Sequence, residues 1–422
     1  MNKKIVAIVS SFHNFDPAYS LTSVTEHQLK ALVHFGYKPI LIVLDIFKDE
    51  FNRVPEGVEV RKVIPQILLT DYSGCQEVNA DFNSQCEKIY SALKENMKDV
   101  DVAFTADLLF QGWFLPHAVA LHRLAAESKI KWFHWVHSAP SPQEDKKFPH
   151  SCRFTLPANS KLVYLNNKHL IRAAEMYHVF PKDVKVVYNS IDPRIFWNLH
   201  PLTNSLIDKY DILSADYIDI YPLSTTRMVD GKQIKVVIEI MAALKKLGKK
   251  VCFIAVNAHA NDRREKQVIA EVISFASERG LGANEMIFTS LEDAPKYELG
   301  VPREVVSQLF MLSNLFIFPS VSENCSLVLL EAALCKNLLI LNDNGFLPFR
   351  EFAKENALYF DFGSLVSEVK YNNRERFMED VAKIINSEMG CNKALKASAE
   401  IRRNFNYEKN FVEMIEPLIM EQ

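Results

Sequence analysis

Short runs of aliphatic and β-branched residues alternate with helical patterns along the first half of the chain. Strands are predicted at the runs IVAIVSS, KPILIVLDI, VEVRKVI, DVAFTA, KWFHWVH, KLVYL and VKVVY. Helices are predicted from about Ser23 and across residues 80–98. The stretch Ser23 to Glu26 fits a capping box that would begin the first helix, and Gly36 would end it. This alternation is typical of βαβ units with a parallel sheet.

A second series follows a polar, irregular stretch around residues 197–215. Its predicted strands, YIDIYPL, KVCFIAV, EMIFTS, NLFIFPS, NLLILN and ALYFDF, alternate with helices at 232–247, 263–279, 303–312 and 326–335. Two doubly wound, Rossmann-like α/β domains with parallel sheets are therefore predicted. Ligands of such sheets gather beyond the carboxyl ends of the strands. We expect the chemistry in the loops after the strands and in a cleft between the domains.

The composition is that of a soluble globular protein, with 48% apolar and 24% charged residues among 422. No apolar run approaches the ~18 residues of a membrane span. The start MNKKIVAIVSSF reaches polar residues too soon for a secretory signal, so a cytoplasmic location is expected. The seven cysteines form no CxxC pair, which predicts reduced thiols. With 49 basic and 52 acidic side chains, nucleic acid or anionic lipid could be attracted only at a local patch.

Two carboxylates frame a helix in 320-SVSENCSLVLLEAAL-334, with Glu323 before the helix and Glu331 inside it. A helix beginning at residues 324–325 would point its free backbone N–H groups, those of Cys325, Ser326 and Leu327, at an anion such as a phosphate. Glu323 and Glu331 would then accept hydrogen bonds from hydroxyls on either side of that phosphate. A ligand with a central diphosphate and a sugar at each end matches this spacing. The alternative is a dipole-favoured Glu323 and a solvated Glu331.

Two cations follow the first strand of the second series, in 223-LSTTRMVDGKQIKVVIEI-240. Arg227 and Lys232 stand in the loop, and Gly231 gives freedom just before the helix. Fixed cations at the carboxyl end of a strand can neutralise a diphosphate and stabilise it as a leaving group. The alternative is a solvated basic loop.

In this order, the two segments resemble the Arg…Lys pair and the Glu-x7-Glu motif of family 4 retaining glycosyltransferases, which have the GT-B fold and belong to glycosyl transferases group 1. The segment 186-VVYNSIDPRIF-196 resembles the domain-junction segment of that family, and 402-RRNFNYEKNFVEMIEPL-418 resembles its terminal helix. The resemblance is weak over roughly residues 1–180 and good over roughly 184–420.

The resemblance implies an N-terminal acceptor-side domain of residues 1–196 and a C-terminal nucleotide-sugar-binding domain of residues 197–406. A helix at about 407–422 would cross back to the first domain, and the two parallel sheets would face a central cleft. It further implies a nucleoside-diphosphate sugar as co-substrate, with a UDP-sugar expected, and no other cofactor. Arg227 and Lys232 would hold the diphosphate, Glu331 the ribose, and Glu323 the hydroxyls of the donor sugar.

The same resemblance implies further contacts. Ser290 and Leu291 would lie near the base, and His137 near the donor sugar, whereas His134 would face the other side of its strand and is expected to be structural. Such enzymes often work without a metal, because the departing phosphate helps to deprotonate the acceptor. The sequence itself shows no convincing metal site.

The chain departs from the family after its first strand, where 10-SSFHNFDPAYSLTS-23 replaces a glycine-rich turn. Close backbone approach of a ligand is therefore not expected there. The polar side chains of this loop, His13, Asn14, Asp16 and Tyr19, are candidates for the acceptor site. The alternative is a polar surface loop.

We therefore expect an enzyme, a hexosyl- or pentosyltransferase that moves a sugar to a hydroxyl of a glycan or small molecule. One alternative is a DNA-modifying glycosyltransferase that acts on hydroxymethylated bases. Another, of a different class, is a non-catalytic sugar-nucleotide sensor or scaffold on the same fold. No transmembrane segment is expected, and peripheral membrane contact stays open.

Overall fold

A computed structural model of the protein describes residues 3–74, 76–137, 147–221, 231–257, 262–293, 295–324, 326–345, 347–364 and 373–421. The chain divides into two compact units. Unit 1 comprises Met1–Asp192 and Asn404–Gln422, and unit 2 comprises Pro193–Arg403. The boundary proposed from sequence, between residues 196 and 197, lies four residues further along the chain.

The described part of unit 1 contains one parallel sheet of seven strands in the order β3-β2-β1-β4-β5-β6-β7. The strands are β1 (Ile5–Val9), β2 (Lys38–Leu44), β3 (Glu59–Ile64), β4 (Val102–Ala106), β5 (Lys131–Trp135), β6 (Ser160–Tyr164) and β7 (Val184–Val186). Alternate residues of β1 enter different cores, with Ala7 and Val9 on one face and Val6 and Ile8 on the other. Because both faces of the sheet are covered, the central strands read as continuous apolar runs.

Helices cover both faces of this sheet. They are α1 (Ser20–His34), α2 (Phe82–Asn96), α3 (Leu115–Glu127) and α4 (Leu170–Met176). The last residues of the chain join them as α14 (Tyr407–Asn410), a π-helical turn (Phe411–Ile415) and α15 (Glu416–Met420). Phe411 is fully buried and stacks on Phe35 with ring centroids 4.7 Å apart, which anchors this terminal segment to unit 1.

The described part of unit 2 contains a six-stranded parallel sheet in the order β10-β9-β8-β11-β12-β13. The strands are β8 (Tyr217–Tyr221), β9 (Val251–Ala255), β10 (Met286–Phe288), β11 (Leu315–Phe318), β12 (Leu338–Asn342) and β13 (Leu358–Phe360). The helices are α5 (Pro193–Phe196), α6 (Pro201–Tyr210), α7 (Ile234–Lys246), α8 (Arg263–Glu278), α9 (Arg303–Leu312), α10 (Leu327–Leu334), α11 (Phe349–Ala353), α12 (Arg374–Cys391) and α13 (Lys393–Asn404).

The prediction of two doubly wound, Rossmann-like α/β domains with parallel sheets is confirmed. Each predicted strand is present, because each combines a short apolar run with flanking polar residues.

No helix in the described ranges is long and apolar enough to cross a bilayer. Five cysteines, Cys86, Cys152, Cys252, Cys335 and Cys391, are free thiols, and the other two lie outside the described residues.

Two local predictions are wrong. The first helix begins at Ser20, not Ser23, and its N-cap residue, Tyr19, makes no side-chain capping bond. Glu26, expected to complete a capping box, instead forms ion pairs with Lys30 and Arg53. The stretch around residues 197–215, predicted to be irregular, contains α6. There the His200 side chain accepts a hydrogen bond from the backbone N–H of Leu202 and so caps α6. The helix was not predicted because polar residues interrupt its apolar positions.

Candidate functional site

The site predicted on unit 2 lies at the point where the strand order reverses. Strands β8 and β11 are neighbours in the sheet, while β9 continues to one side of β8 and β12 to the other side of β11. Such a reversal opens a crevice at the carboxyl ends of the two strands, where doubly wound folds bind ligands. The loops after β8 and β11 carry the predicted cation and carboxylate.

Hydrogen bonds from the backbone and from the Gln233 side chain connect these two loops. The N–H of Val321 donates to the carbonyl of Gly231 over 2.9 Å. The side-chain amide of Gln233 donates to the carbonyl of Pro319 over 2.7 Å and to that of Phe362 over 3.0 Å. Gln233 itself adopts a left-handed backbone (φ 53°) at the start of α7. The crossing hydrogen bonds hold the residue between them, Lys232, beside the β11 loop.

Lys232 and Glu323, predicted separately, form an ion pair in this crevice. The Lys232 ammonium also donates to Ser320 Oγ and to the carbonyl of Ser322, each over 3.2 Å, and lies 5.6 Å from the ring centroid of Phe318. The side chains of the pair are only 17% and 15% exposed. A fixed cation in such a water-poor site stabilises negative charge more strongly than one in solvent.

The helix after Glu323 begins later than predicted. Ser326 precedes α10 in an extended conformation and is 7% exposed, and the first helical residue is Leu327. The backbone N–H groups at the helix start are therefore those of Ser326 to Leu329 rather than of residues 325 to 327. Leu327 itself turns its side chain outward, with 69% exposed. Two of the predicted residues, Arg227 and Cys325, lie outside the described residues.

Glu331, the second carboxylate, has one oxygen occupied and one free within the described structure. Its Oε1 pairs with Arg303, whose side chain is 74% exposed. Its Oε2 is buried and has no hydrogen-bond partner among the described residues. A buried oxygen without a partner is costly. Glu331 therefore presents an acceptor to which a ligand hydroxyl can donate.

The two residues predicted to contact the base differ in their surroundings. Ser290 is fully buried, and its backbone N–H donates to Asn257 Oδ1 over 3.2 Å. The Asn257 amide donates in turn to the Ser290 hydroxyl. Leu291, by contrast, is 45% exposed. Of the pair, only Leu291 presents its side chain outward.

All four acceptor candidates on unit 1 line one cavity of about 540 Å³. His13, Asn14, Asp16 and Tyr19 enter it from the loop after β1, and Ala106 enters it from the end of β4. Strands β1 and β4 are the neighbours at which the strand order of this sheet reverses. The cavity thus occupies the same topological position in unit 1 as the Lys232 and Glu323 pair does in unit 2, and its volume suits a small-molecule ligand.

Aromatic packing shapes this glycine-free loop. Phe15 is fully buried and meets Phe12 and Phe47 edge to face, with centroids 5.6 and 5.8 Å away. The carboxylate of Asp16 accepts from the N–H of Ala18 over 2.8 Å. Burial and, less strongly, the charge of Asp107 raise the pKa of Tyr19. The loop is therefore held by ring contacts instead of by the close turn that glycines allow.

The two histidines of β5 and its following loop behave differently. His134 is buried in the sheet, where its ring nitrogens contact Thr105 Oγ1 at 2.9 Å and Ser160 Oγ at 3.1 Å, as expected of a structural histidine. His137 follows the strand, and its backbone N–H donates to Asp107 Oδ1 over 3.1 Å. Burial lowers the pKa of His137 to about 4, so its imidazole is neutral at pH 7. A neutral ring can donate one hydrogen bond and accept another.

Sequence reasoning missed one residue that lines the unit 1 cavity, His117, and one that follows the lining residue Ala106, Asp107. Asp107 follows β4 at the reversal point, is 5% exposed, and has a left-handed backbone (φ 58°), a conformation that non-glycine residues adopt mostly at special sites. His117 stands in the first turn of α3 and lines the cavity, and neither of its ring nitrogens has a hydrogen-bond partner among the described residues. A polar residue directly after a buried strand could have revealed Asp107. Nothing local marks His117, because its place in the cavity is set by packing.

Within the ranges described, no group of three or more His, Cys, Asp or Glu side chains is placed to hold a metal ion. No family model and no curated protein matches the sequence.

Among solved structures, the chain is similar to a glycosyltransferase from Rickettsia africae ESF-5, with 16% identity over 100% of both chains and a TM-score of 0.38. It is also similar to HepE of Anabaena in complex with UDP, with 14% identity, 98% of this chain and 99% of that chain covered, and a TM-score of 0.33. WaaG, a glycosyltransferase involved in lipopolysaccharide biosynthesis, has 14% identity, coverage of 99% and 100%, and a TM-score of 0.34.

Proposed function

We propose that the chain is a retaining glycosyltransferase of the family 4 type, which transfers a sugar from a nucleoside-diphosphate sugar, a UDP-sugar in our expectation, to a hydroxyl of a glycan or small molecule. The observation that carries the proposal is the Lys232 and Glu323 ion pair at the reversal point of the unit 2 sheet. A cation and a carboxylate in one sheltered crevice match a ligand that combines phosphate with hydroxyls.

In the proposed donor site, each part of the nucleotide sugar contacts a different group of the protein. Lys232, with Arg227, would neutralise the diphosphate, and the N–H groups at the start of α10 would add hydrogen bonds to it. Glu323 would accept from hydroxyls of the donor sugar. The buried Oε2 of Glu331 would accept from a ribose hydroxyl and so gain the partner that it lacks within the described residues.

In the proposed reaction, the bond between the anomeric carbon and the diphosphate oxygen breaks, and the acceptor oxygen bonds to the same face of that carbon. The acceptor proton passes to the departing phosphate. Lys232 stabilises the negative charge that develops on the leaving group, so the proposed chemistry requires no metal. Because the Lys232 ammonium is already paired with Glu323, the bound donor must share or displace that contact.

The proposal is tested by a thermal-shift and nucleotide-release screen of the purified full chain. The donors are UDP-, GDP-, ADP- and CMP-linked sugars, and the acceptors are simple glycosides, glycans and hydroxymethylated DNA. We expect one UDP-sugar to raise the melting temperature and to release nucleotide in an acceptor-dependent way. A melting rise without release would favour the non-catalytic sensor, and no rise with any donor would contradict the donor site itself.

A further inference from the structure

The cavity of unit 1 contains polar atoms that need hydrogen-bond partners. Both ring nitrogens of His117 and the Oδ1 of Asn14 are buried and have no hydrogen-bond partner among the described residues. His117 is 1% exposed and lines the same cavity as Asn14. Buried polar groups are normally satisfied. These atoms therefore indicate a ligand that supplies the missing hydrogen bonds.

The chemistry of these atoms specifies the ligand. Burial keeps the His117 imidazole uncharged, so one ring nitrogen is a donor and the other an acceptor. The Asn14 oxygen is an acceptor only. A hydroxyl both donates and accepts, so two hydroxyls of one ligand can together supply the two donors and the one acceptor that these three atoms need. A fully ionised phosphate oxygen only accepts, and would leave Asn14 Oδ1 and one His117 nitrogen unsatisfied.

The charge of the cavity points the same way. The described residues that line it include the carboxylate of Asp16 but neither lysine nor arginine. A phosphorylated sugar or a nucleic-acid backbone would meet a like charge there with no cation to offset it. Nor does the aromatic loop after β1 offer glycines that would let a phosphate approach the backbone. The site favours an uncharged ligand.

The wall of the cavity is apolar and partly open. Phe12 and Phe114 line it, and the Phe114 ring meets that of His117 edge to face at 5.5 Å. Tyr19, Ile46 and Leu69 line it as well, although each is between 46% and 54% exposed. Apolar side chains that remain half exposed around a polar floor suit a ligand with a hydroxyl-bearing ring and an apolar substituent.

We infer that this cavity is the acceptor site and that it takes a neutral glycoside with an apolar aglycone. His117 is a specificity-determining residue whose ring nitrogens form hydrogen bonds with the sugar hydroxyls at the bottom of the cavity. The identification of the glycoside as an acceptor rests on the proposed function. The predicted glycoside binding itself requires neither a donor nor turnover. It also disfavours hydroxymethylated DNA as the substrate of this chain.

The test is a calorimetric titration of the full chain without donor. The probes are octyl β-D-glucopyranoside below its micelle concentration, methyl β-D-glucopyranoside, glucose 6-phosphate and a hydroxymethylated DNA duplex. We expect the octyl glucoside to bind at least about tenfold more tightly than the methyl glucoside, because the aglycone buries apolar surface. Glucose 6-phosphate and the DNA are expected to bind more weakly than both.

The variant His117→Phe keeps an aromatic ring in the wall and removes both nitrogens. It should weaken octyl glucoside binding about tenfold, the usual effect of losing a buried hydrogen bond. The matched control is His122→Ala on the same helix. His122 contacts the carbonyl of Cys152 at 3.0 Å and does not line the cavity, so its loss should lower the melting temperature and leave glycoside affinity unchanged.

If the His117→Phe protein does not fold, the ¹⁵N shifts of the His117 ring in the wild-type protein give the same information during the octyl glucoside titration. Tighter binding of glucose 6-phosphate or DNA, unchanged affinity of a folded His117→Phe, or an unmoved His117 ring would each overturn the inference. Failure of the donor screen with intact glycoside binding would instead reject the transferase proposal alone.

Discussion

At the scale of single residues, Lys232 shows how a surrounding network can hold a charge in place. Its ammonium reaches the Glu323 carboxylate, one hydroxyl and one backbone carbonyl, and the side chain is 17% exposed. Removing a lysine from such a network leaves a buried carboxylate uncompensated. Loss of stability and loss of activity must therefore be separated in any test of this residue.

We expect Lys232→Ala to lower kcat about a hundredfold, because the departing diphosphate would lose a sheltered positive charge. Steady-state kinetics with the donor identified in the screen measure this loss. The control is Lys245→Ala, which breaks the pair of Lys245 with Glu285, 2.7 Å apart, on another part of unit 2. A comparable fall in melting temperature for both variants, with activity lost only in the first, supports a catalytic role. Equal loss of melting temperature and activity in Lys232→Ala would show a structural one.

Glu331 allows a second test at this scale. Glu331→Ala should raise the donor KM about tenfold with little change in kcat, because a ribose contact stabilises the ground and transition states alike. Arg303→Ala removes the ion-pair partner of Glu331 but no proposed ligand contact, and its donor KM should stay near that of the wild-type protein. A large fall in kcat with an unchanged KM for Glu331→Ala would contradict the assignment.

At the scale of elements, α1 is fastened to its neighbours through Glu26. This carboxylate accepts from Lys30 on the same helix and from Arg53 in the segment that follows β2. The Arg53 guanidinium also reaches Ser23 Oγ at 3.0 Å and the carbonyl of Phe15 at 3.4 Å. One buried ion pair thus links the helix, a distant segment and the loop that forms the cavity wall.

Glu26→Ala should destabilise unit 1 by on the order of 3 kcal/mol, because Arg53 would lose its charge partner in a sheltered site. Urea unfolding followed by tryptophan fluorescence reports mainly on this unit, since it contains three of the four tryptophans and buries Trp132 and Trp135.

The matched control for that variant is Glu59→Ala. Glu59 pairs with Arg61 over 2.7 Å, but its side chain is 58% exposed, and an exposed pair contributes under about 1 kcal/mol. Similar unfolding midpoints for the two variants would mean that burial does not distinguish these ion pairs.

At the scale of the whole molecule, the two units repeat one plan. Both sheets place their first and fourth strands side by side, and both carry their candidate ligand groups beyond the carboxyl ends of that strand pair. The groups themselves differ, since unit 2 offers a cation with a carboxylate, whereas unit 1 offers neutral polar atoms, one carboxylate and an apolar wall, with neither lysine nor arginine among its described lining residues. The shared topology therefore carries two sites for which we propose different ligands.

Each ligand should protect a different unit from hydrogen exchange. We expect the active UDP-sugar to slow amide exchange in the loops after β8 and β11, and octyl glucoside to slow it after β1 and in the first turn of α3. Saturation at about a hundred times Kd would stabilise the binding unit by about 2.7 kcal/mol. Mass-spectrometric exchange measures both effects, and protection of unit 1 by the nucleotide sugar alone would reverse the proposed division of roles.

The sequence alone was sufficient for the strands and the fold class, and it singled out the residues of the proposed donor site. The central strands could be predicted because a strand covered on both faces must be apolar along its length, a property of a few adjacent residues. Lys232 and Glu323 could be singled out because they are charges in the loops that follow buried strands, and Glu331 because seven residues separate it from Glu323. Both patterns involve residues that are close together along the chain, and such patterns can be recognised in a single sequence.

Tertiary structure alone decided the contacts. Glu26 pairs with Arg53, which lies 27 residues further along the chain, and the capping box predicted at Ser23 does not form. Lys232 and Glu323 are 91 residues apart and meet only because β8 and β11 are neighbours in the sheet. His117 enters the cavity because α3 packs beside the loop after β1. Such pairings depend on strand order and packing, and neither is encoded by the spacing of residues along the chain.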